Sequence, residues 1–292
     1  MDRVLVIIVT YNAHGWIRQC IDSVDRQHYD VLVVDNASGD DTVGIIRTAY
    51  PDVRLFLQTE NLGFGKANNI GLRYAVDNAY DYVLLLNQDA WLLPDTIEKL
   101  IIAHKQQPQY WILSPMQMNS KTQTVEKQFQ RYLDQSTPAL QKDELVDIDF
   151  VNAAVWLLPL QTIMTVGGFC PVFHHYGEDN DYVNRMHYWG GKIGVVSQSI
   201  AFHDRIYTGV AQKVTEYRIY LGYLCILHNI NAPYLVNQCK SVALLVRKYI
   251  KSILCGRWEM IRCSKKAFHK ATVQKTMILK SRETAKQERA FL

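Results

Sequence analysis

Five acids and one histidine occupy places where chemistry could be done. Asp89 closes Asn87-Gln88-Asp89, directly after the apolar run Val83-Leu84-Leu85-Leu86. A carboxylate at the open end of a sheet suits a hard divalent cation bridging two phosphates, although acids after strands also serve as turn residues. Gly177-Glu178-Asp179-Asn180-Asp181 sets three acids at the predicted start of a helix. Acids favour helix N-termini for dipole reasons alone. Held ionised there, such a carboxylate can also take the proton of an attacking hydroxyl. His203 follows another apolar strand; neutral imidazole is a frequent metal ligand, while a lone histidine is more often structural. Asp35 ends the run Val31–Val34, where an acid can accept hydrogen bonds from a base or ribose or cap the next helix in competition with Ser38 and Asp40. The stretch Asn61–Asn69, with Gly63 and Gly65, precedes a helix. Its glycines would let backbone approach a phosphate at a helix N-terminus, but it is neither G-x-x-x-x-G-K-[ST] nor G-x-G-x-x-G.

The elements that must position these residues alternate regularly in the first half. Val4–Val9 is a near-continuous apolar run, as expected of a strand covered on both faces. Helices are predicted over 15–26, from the Asn36–Asp40 turn to Tyr50, over 64–78, and from Pro94 to Gln106, with strands at 31–34, 53–57 and 82–86. This β-α-β-α rhythm predicts an α/β fold with a mostly parallel sheet and helices on both faces. Ligands of such sheets bind beyond the carboxyl ends of the strands, which brings Thr10-Tyr11-Asn12, Asp35-Asn36 and Asn87-Gln88-Asp89 to one rim. Residues 117–142 are polar and carry no assignment between a hairpin and a loop. A strand is predicted over 150–158, a tight turn at Gly167-Gly168-Phe169, a helix over 179–189 ended by Gly190-Gly191, and a strand over 193–202. Helices follow from about Gln212.

With 48% hydrophobic and 21% charged residues, the 292-residue chain has material for a substantial core. Its formal charge of +4 hides an asymmetry. Lys240–Leu292 holds fourteen Lys/Arg against three Glu, a net +11, and the rest of the chain is −7. A basic tail can meet an anionic membrane face or an acidic partner; no nucleic acid is expected. The six cysteines form no C-x-x-C pair and are expected to be reduced packing groups rather than a disulfide framework. Val4–Val9 is too short for a signal sequence, and no window reaches the length of a spanning helix. The expected location is therefore cytoplasmic, at most peripheral on the inner face of a membrane.

In this order the segments Val6–Asn12, Val33–Asp40, Asn61–Asn69, Leu84–Asp89, Gly167-Gly168-Phe169, Gly177–Asp181 and His203 resemble family-2 glycosyltransferases of the GT-A fold, especially the bacterial rhamnosyltransferase-like branch. The resemblance covers roughly Val4 to Gly209. It implies a catalytic domain over 1–210, with a nucleotide-sugar half to about 110 and an acceptor half after it, and a basic helical region over 211–292. Thr10, Tyr11, Asn12 and Asp35, with Asn36 and Asn87, would hold the base and ribose, and Gly65 would lie along the nucleotide. Asp89 matches the last position of the family's D-x-D-type motif and His203 a histidine that completes a Mg²⁺ or Mn²⁺ site. Asp179 matches the catalytic base, with Glu178 and Asp181 as fallbacks. Asn87 departs from the usual first Asp and brings no charge to the cation. The implied activity is inverting transfer of a single sugar from a UDP- or dTDP-sugar to a hydroxyl on a glycan or lipid-linked acceptor, in cell-surface polysaccharide or glycolipid synthesis. The alternatives are an inactive nucleotide-sugar-binding scaffold and a sugar-1-phosphate nucleotidyltransferase. The latter would need a G-x-G-T-R-type segment where Thr10-Tyr11-Asn12-Ala13-His14 stands. A processive synthase would need Gln, not Leu254, ahead of Arg257-Trp258, and membrane spans.

Overall fold

The computed structural model describes residues 2–134, 145–204 and 216–292. Its centre is a sheet of the strands β1 (Val4–Thr10), β2 (Asp30–Asp35), β3 (Arg54–Leu57), β4 (Tyr82–Asn87), β5 (Ala90–Leu92), β6 (Tyr110–Asn119), β7 (Thr124–Val125), β8 (Leu145–Ile148), β9 (Val155–Pro159) and β10 (Lys192–His203). Their order is β3-β2-β1-β4-β9-β6-β10-β5, with β7 beside β6 and β8 beside β10. The β3-β2-β1-β4 half is parallel. Strand β9 runs against both β4 and β6, and β10 is parallel to β6. Two reversals therefore restore the direction, so β6 and β10 point the same way as β1 and β4.

Side-chain alternation divides the core between the two faces of the sheet. Val4, Val6 and Ile8 pack with Ile17, Cys20 and Ile21 of α1 (Ile17–Asp22), Ile45 and Ile46 of α2 (Thr42–Ala49), and Ile97 and Leu100 of α4 (Thr96–Gln106). Leu5 and Ile7 face the other way. They pack with Ala67 and Leu72 of α3 (Phe64–Asp77), Phe129 of α5 (Lys127–Leu133), Ile163 of α6 (Leu160–Val166), and Tyr182 and Met186 of α7 (Glu178–Tyr188). This is the two-faced burial that the unbroken run at Val4–Val9 predicts.

A third cluster joins Cys170 and Phe173 to the C-terminal helices α8 (Glu216–His228), α10 (Trp258–Val273) and α11 (Lys275–Thr284). The long α9 (Tyr234–Leu254) lies against α8 and α10. No described helix is long and apolar enough to cross a membrane. The expected boundary at 210/211 falls outside the described residues, as does part of the unassigned stretch at 117–142.

Several expectations are corrected. The first helix is confined to Ile17–Asp22. Pro94 does not open its helix; Asp95 intervenes with φ +62, and α4 starts at Thr96. Apolar β5 and β8 escape notice because each is too short for a periodic pattern. The polar stretch carries β6 on to Asn119, a short β7 and then α5, whose Glu126 caps the N–H groups of Gln128 and Phe129. The strand predicted over 150–158 is Val155–Pro159. Of the cysteines, all six are free, but only Cys20 and Cys170 are buried and Cys239 and Cys255 are exposed.

Candidate functional site

Because β1, β2, β4, β6 and β10 share one direction, Thr10, Asp35, Asn87 and His203 end their strands at the same rim. Thr10 and Asp35 are register partners, and Thr10 Oγ1 donates to Asp35 Oδ1 at 2.8 Å. Ser38 donates its Oγ to the same oxygen at 2.6 Å and its N–H to Oδ2 at 2.9 Å. Three of a carboxylate's roughly four acceptor positions are thus filled, and the open one is on Oδ2. Asn12, at φ +52, donates its N–H to Ser38 Oγ and accepts from Gly39 N–H, closing the two loops together. Tyr11 is largely exposed. Its backbone N–H and C=O both meet the Gln88 side chain, at 2.7 and 3.2 Å. Gln88 therefore ties the end of β1 to the Asn87-Gln88-Asp89 segment, a role that its place between two candidate ligands did not reveal.

Asn36, expected among the nucleotide-facing residues, is buried and fastens a loop instead. Its Oδ1 accepts from Leu62 N–H at 2.8 Å, and its Nδ2 donates to Asn61 Oδ1 at 3.0 Å and to the Gly63 carbonyl at 3.4 Å. This holds the Gly-rich segment beside the end of β2. Gly63 has φ +82, and a Cβ there would lie 2.1 Å from the His174 carbonyl oxygen, so both backbone and space demand glycine. Two residues on, a Cβ on Gly65 would meet Phe169 and then the Glu178 side chain at 3.6 Å. The first turn of α3 thereby abuts the first turn of α7, which carries Asp179.

His203 is buried and ends β10 opposite Ala90. Its Nε2 lies 3.5 Å from Asp89 Oδ1. Gln117 Nε2 points to Ser114 Oγ, which directs Gln117 Oε1 at His203 Nδ1, 3.2 Å away. Assigned from that network, Nδ1 is the donor, and in the neutral ring the Nε2 lone pair faces a carboxylate. Either a proton on Nε2 or a metal ion between the two groups would join them. Two ligand atoms each about 2.1 Å from one ion, at about 90–110°, stand about 3.0–3.4 Å apart, a little under the distance observed. The Gln117 contact is of the kind that orients a ligating histidine. The donor set of one carboxylate and one imidazole thus fits a divalent ion that takes its other ligands from a diphosphate and water. Gln117 lay in the stretch left unassigned, so nothing in the sequence paired it with His203.

At α7 the three acids part company. Asp179 is half-buried, and its Oδ1 accepts from the Asn180 N–H and side-chain amide. Glu178 is buried; burial pushes its pKa up to about 7, and its Oε2 has no hydrogen-bond partner. Asp181 is buried as well, and both of its oxygens are taken, by Arg185 Nε at 2.8 Å and His228 Nδ1 at 2.5 Å. This removes Asp181 from the fallback bases. Burial opposes charge on both Asp181 and His228, yet their mutual attraction, with Arg185, holds the Asp181 pKa down and lifts that of His228 to about 9. Ligand atoms of Cys170, Asp181 and His228 come within 4.8 Å of one another, but the positive charge a metal would bring there is already supplied by Arg185 and His228.

The network also fixes the Gly167-Gly168-Phe169 turn. Arg185 donates to the carbonyls of Val166 and Gly168 at 2.6 and 2.7 Å. Asn69 of α3 donates to the Phe169 carbonyl at 2.9 Å and accepts its N–H at 2.6 Å. Gly167, at φ +86, passes so near the C-terminal segment that a Cβ would lie 1.9 Å from the Ala290 carbonyl oxygen.

A sequence model described as Glycosyl transferase family 2 matches residues 5–163. Glycosyltransferase GlyA of Streptococcus pneumoniae is 33% identical over 104 residues, 34% of this chain but only 14% of that protein. The low-salt glycan biosynthesis hexosyltransferase Agl10 of Haloferax volcanii is 24% identical over 234 residues, 76% of this chain and 74% of its own. Among solved structures, residues 1–349 of S. aureus TarS in complex with UDP-GlcNAc superpose with a TM-score of 0.58 at 15% identity, covering 96% of this chain and 90% of that one. The mannosyltransferase PcManGT of Pyrobaculum calidifontis, in complex with GDP-Man and Mn²⁺, gives 0.54 at 16% identity over 94% and 87%. At these identities the structural likeness is one of fold, and that fold is GT-A.

Proposed function

This chain belongs to glycosyl transferase family 2, and from that premise we propose that it moves one sugar from a UDP- or dTDP-sugar to a hydroxyl acceptor with inversion at the anomeric carbon. The observation that carries the reading is the Asp89–His203 pair, two acceptor groups 3.5 Å apart at the rim where Thr10 and Asp35 also end. Thr10, Tyr11, Asn12 and the open position on Asp35 Oδ2 receive the base and ribose. The α3 N-terminus at Gly65 faces the diphosphate, where its unsatisfied N–H groups favour negative charge. Asp89 and His203 would hold Mg²⁺ or Mn²⁺, which would supply positive charge to stabilise the departing nucleoside diphosphate.

Asp179 is the base. Its carboxylate accepts the proton of the acceptor hydroxyl while that oxygen forms a bond to the anomeric carbon. The bond from that carbon to the phosphate oxygen breaks on the opposite side, and the nucleoside diphosphate leaves with the electron pair. A glycan or lipid-linked alcohol is the acceptor class, in assembly of a cell-surface polysaccharide or glycolipid.

The test is a thermal-shift panel of UDP-, dTDP- and GDP-sugars with Mn²⁺, with and without EDTA, because a ligand of the native state raises its stability. A Mn²⁺-dependent shift is expected with UDP- or dTDP-sugars, and Asp89→Asn and His203→Ala should each abolish it. Absence of any shift across the panel, or a full shift in both variants, would reject the site.

A further inference from the structure

Helix α9 turns Tyr234, Leu244 and Leu245 towards the C-terminal core and leaves a second apolar face uncovered. The residues it buries are Asn237, Ser241 and Ser252, while Leu235, Val242, Val246, Ile250, Ile253 and Leu254 are 48–82% exposed. At 3.6 residues per turn, all but Leu254 of these fall within an arc of roughly 80°, and Ala243 and Leu254 widen it to roughly 120°. The arc runs the length of a helix about 30 Å long. Lys240, Arg247 and Lys251 follow one another along one margin of this arc, all exposed. Among the described residues none of the three enters a salt bridge. No acid occurs from Tyr217 to Trp258. Beyond the end of the helix, Trp258 is 65% exposed next to Arg257.

We propose that α9 lies in the surface of an anionic phospholipid bilayer, its Leu/Val/Ile arc among the acyl chains and Lys240, Arg247 and Lys251 against the headgroups. A large apolar arc with basic residues at its margin is the chemistry of an in-plane interfacial helix, and an indole at its end suits the headgroup level. The charges decide between lipid and a second copy of this chain. A two-fold α9–α9 contact repeats the same patch on both sides and would bring Lys/Arg rows together with no acid on either helix to offset them. An anionic bilayer answers the apolar arc and the cations at once. Of the neighbouring helices, α8, α10 and α11 bury Tyr223, Leu224, Ala267, Ala271 and Ile278 in the core with Cys170 and Phe173, and α10 offers the bilayer its first residue, Trp258.

The test is flotation of the full chain with vesicles of phosphatidylcholine, alone or mixed with phosphatidylglycerol. Wild-type protein floats with the anionic vesicles and not with the neutral ones. Val246→Glu/Ile250→Glu stays in solution with an unchanged circular-dichroism spectrum and melting temperature. Should that variant misfold, Leu235→Ser/Leu254→Ser, at the two helix ends, gives the same loss. Replacing Lys240, Arg247 and Lys251 by Gln lowers the apparent affinity on the order of 100-fold, from about a factor of five for each cation. Failure of the wild type to float, or equal flotation of folded variants, overturns the proposal. So does a solution dimer that Val246→Glu/Ile250→Glu converts to monomer without any vesicle binding. Flotation needs neither donor nor acceptor, so its outcome is separate from that of the sugar-nucleotide panel.

Discussion

Two neighbouring carboxyl groups on α7 sit in different surroundings, Asp179 half-buried and Glu178 buried. Asp179 is expected to work ionised, so Asp179→Asn should lower transfer by about 10²–10⁴-fold while leaving the Mn²⁺-dependent thermal shift with donor intact. Near-normal turnover would reassign the base. Glu178 is buried and titrates at about 7. A folded pKa above the unfolded one means that the fold prefers the protonated acid. Stability from this group is therefore full below the ordinary carboxylate range and declines as pH rises from about 4.5 to about 7. Glu178→Gln removes that decline, so its unfolding free energy should exceed the wild type's at pH 8, by on the order of 3 kcal/mol, and match it at pH 4. Identical pH profiles would refute the assignment. At this scale the sequence was legible where chemistry follows strand ends. Asp35, Asp89 and His203 reach one rim because apolar runs announce strands and the parallel half aligns their ends. It was illegible where a buried amide makes the contact. Nothing local distinguishes Asn36 as a loop fastener or Gln117 as the partner of His203, since both depend on neighbours distant in the chain.

Among the elements, α7 is held by a buried set of polar contacts. Asp181, Arg185 and His228 form a buried ionic cluster that joins it to the 166–169 turn and to α8, and His228 Nε2 reaches on to Ser281 of α11 at 2.8 Å. His228 titrates near 9 in the fold. Its contribution is therefore complete below about 6.5, the unfolded value, and is lost as pH rises through about 9. Thermal melts between pH 6 and 10 should show that loss in the wild type, whereas His228→Gln should be less stable at pH 6 and flat with respect to this step. A wild-type curve without a fall near pH 9 would mean the imidazole is neutral throughout. The i,i+4 spacing of Asp181 and Arg185 was visible in the sequence, yet such pairs on helices usually face solvent; only the packing of α8 and the 166–169 turn against α7 turns it inward.

For the molecule as a whole, the C-terminal helices are part of the structure that carries Asp179. Gly168 N–H donates to the Ala290 carbonyl at 2.7 Å, and the Arg185 guanidinium lies 5.1 Å from the centre of the Phe291 ring. Deleting Arg289–Leu292 should cost about 1–3 kcal/mol, from the buried Gly168 N–H left without its partner, read as a lower urea midpoint with an unchanged slope. An unaltered midpoint would show that the segment merely lies against the surface. Charge asymmetry between body and tail was plain in the sequence. The direction in which α9 turns was not, because a pattern of Leu, Val and Ile between Lys and Arg reads equally as core or as surface, and only the burial of Asn237, Ser241 and Ser252 decides it.

The double contact of Asn69 also governs the order in which the chain can assemble. Besides Phe169, its amide reaches the Phe291 carbonyl at 3.2 Å, a partner 222 positions away. Closing so long a loop is entropically slow, so the parallel β3-β2-β1-β4 half can form before the 167–169 turn meets the far segment. Refolding watched by amide protection would then show two kinetic phases, with the amides of residues 167–169 acquired in the later one.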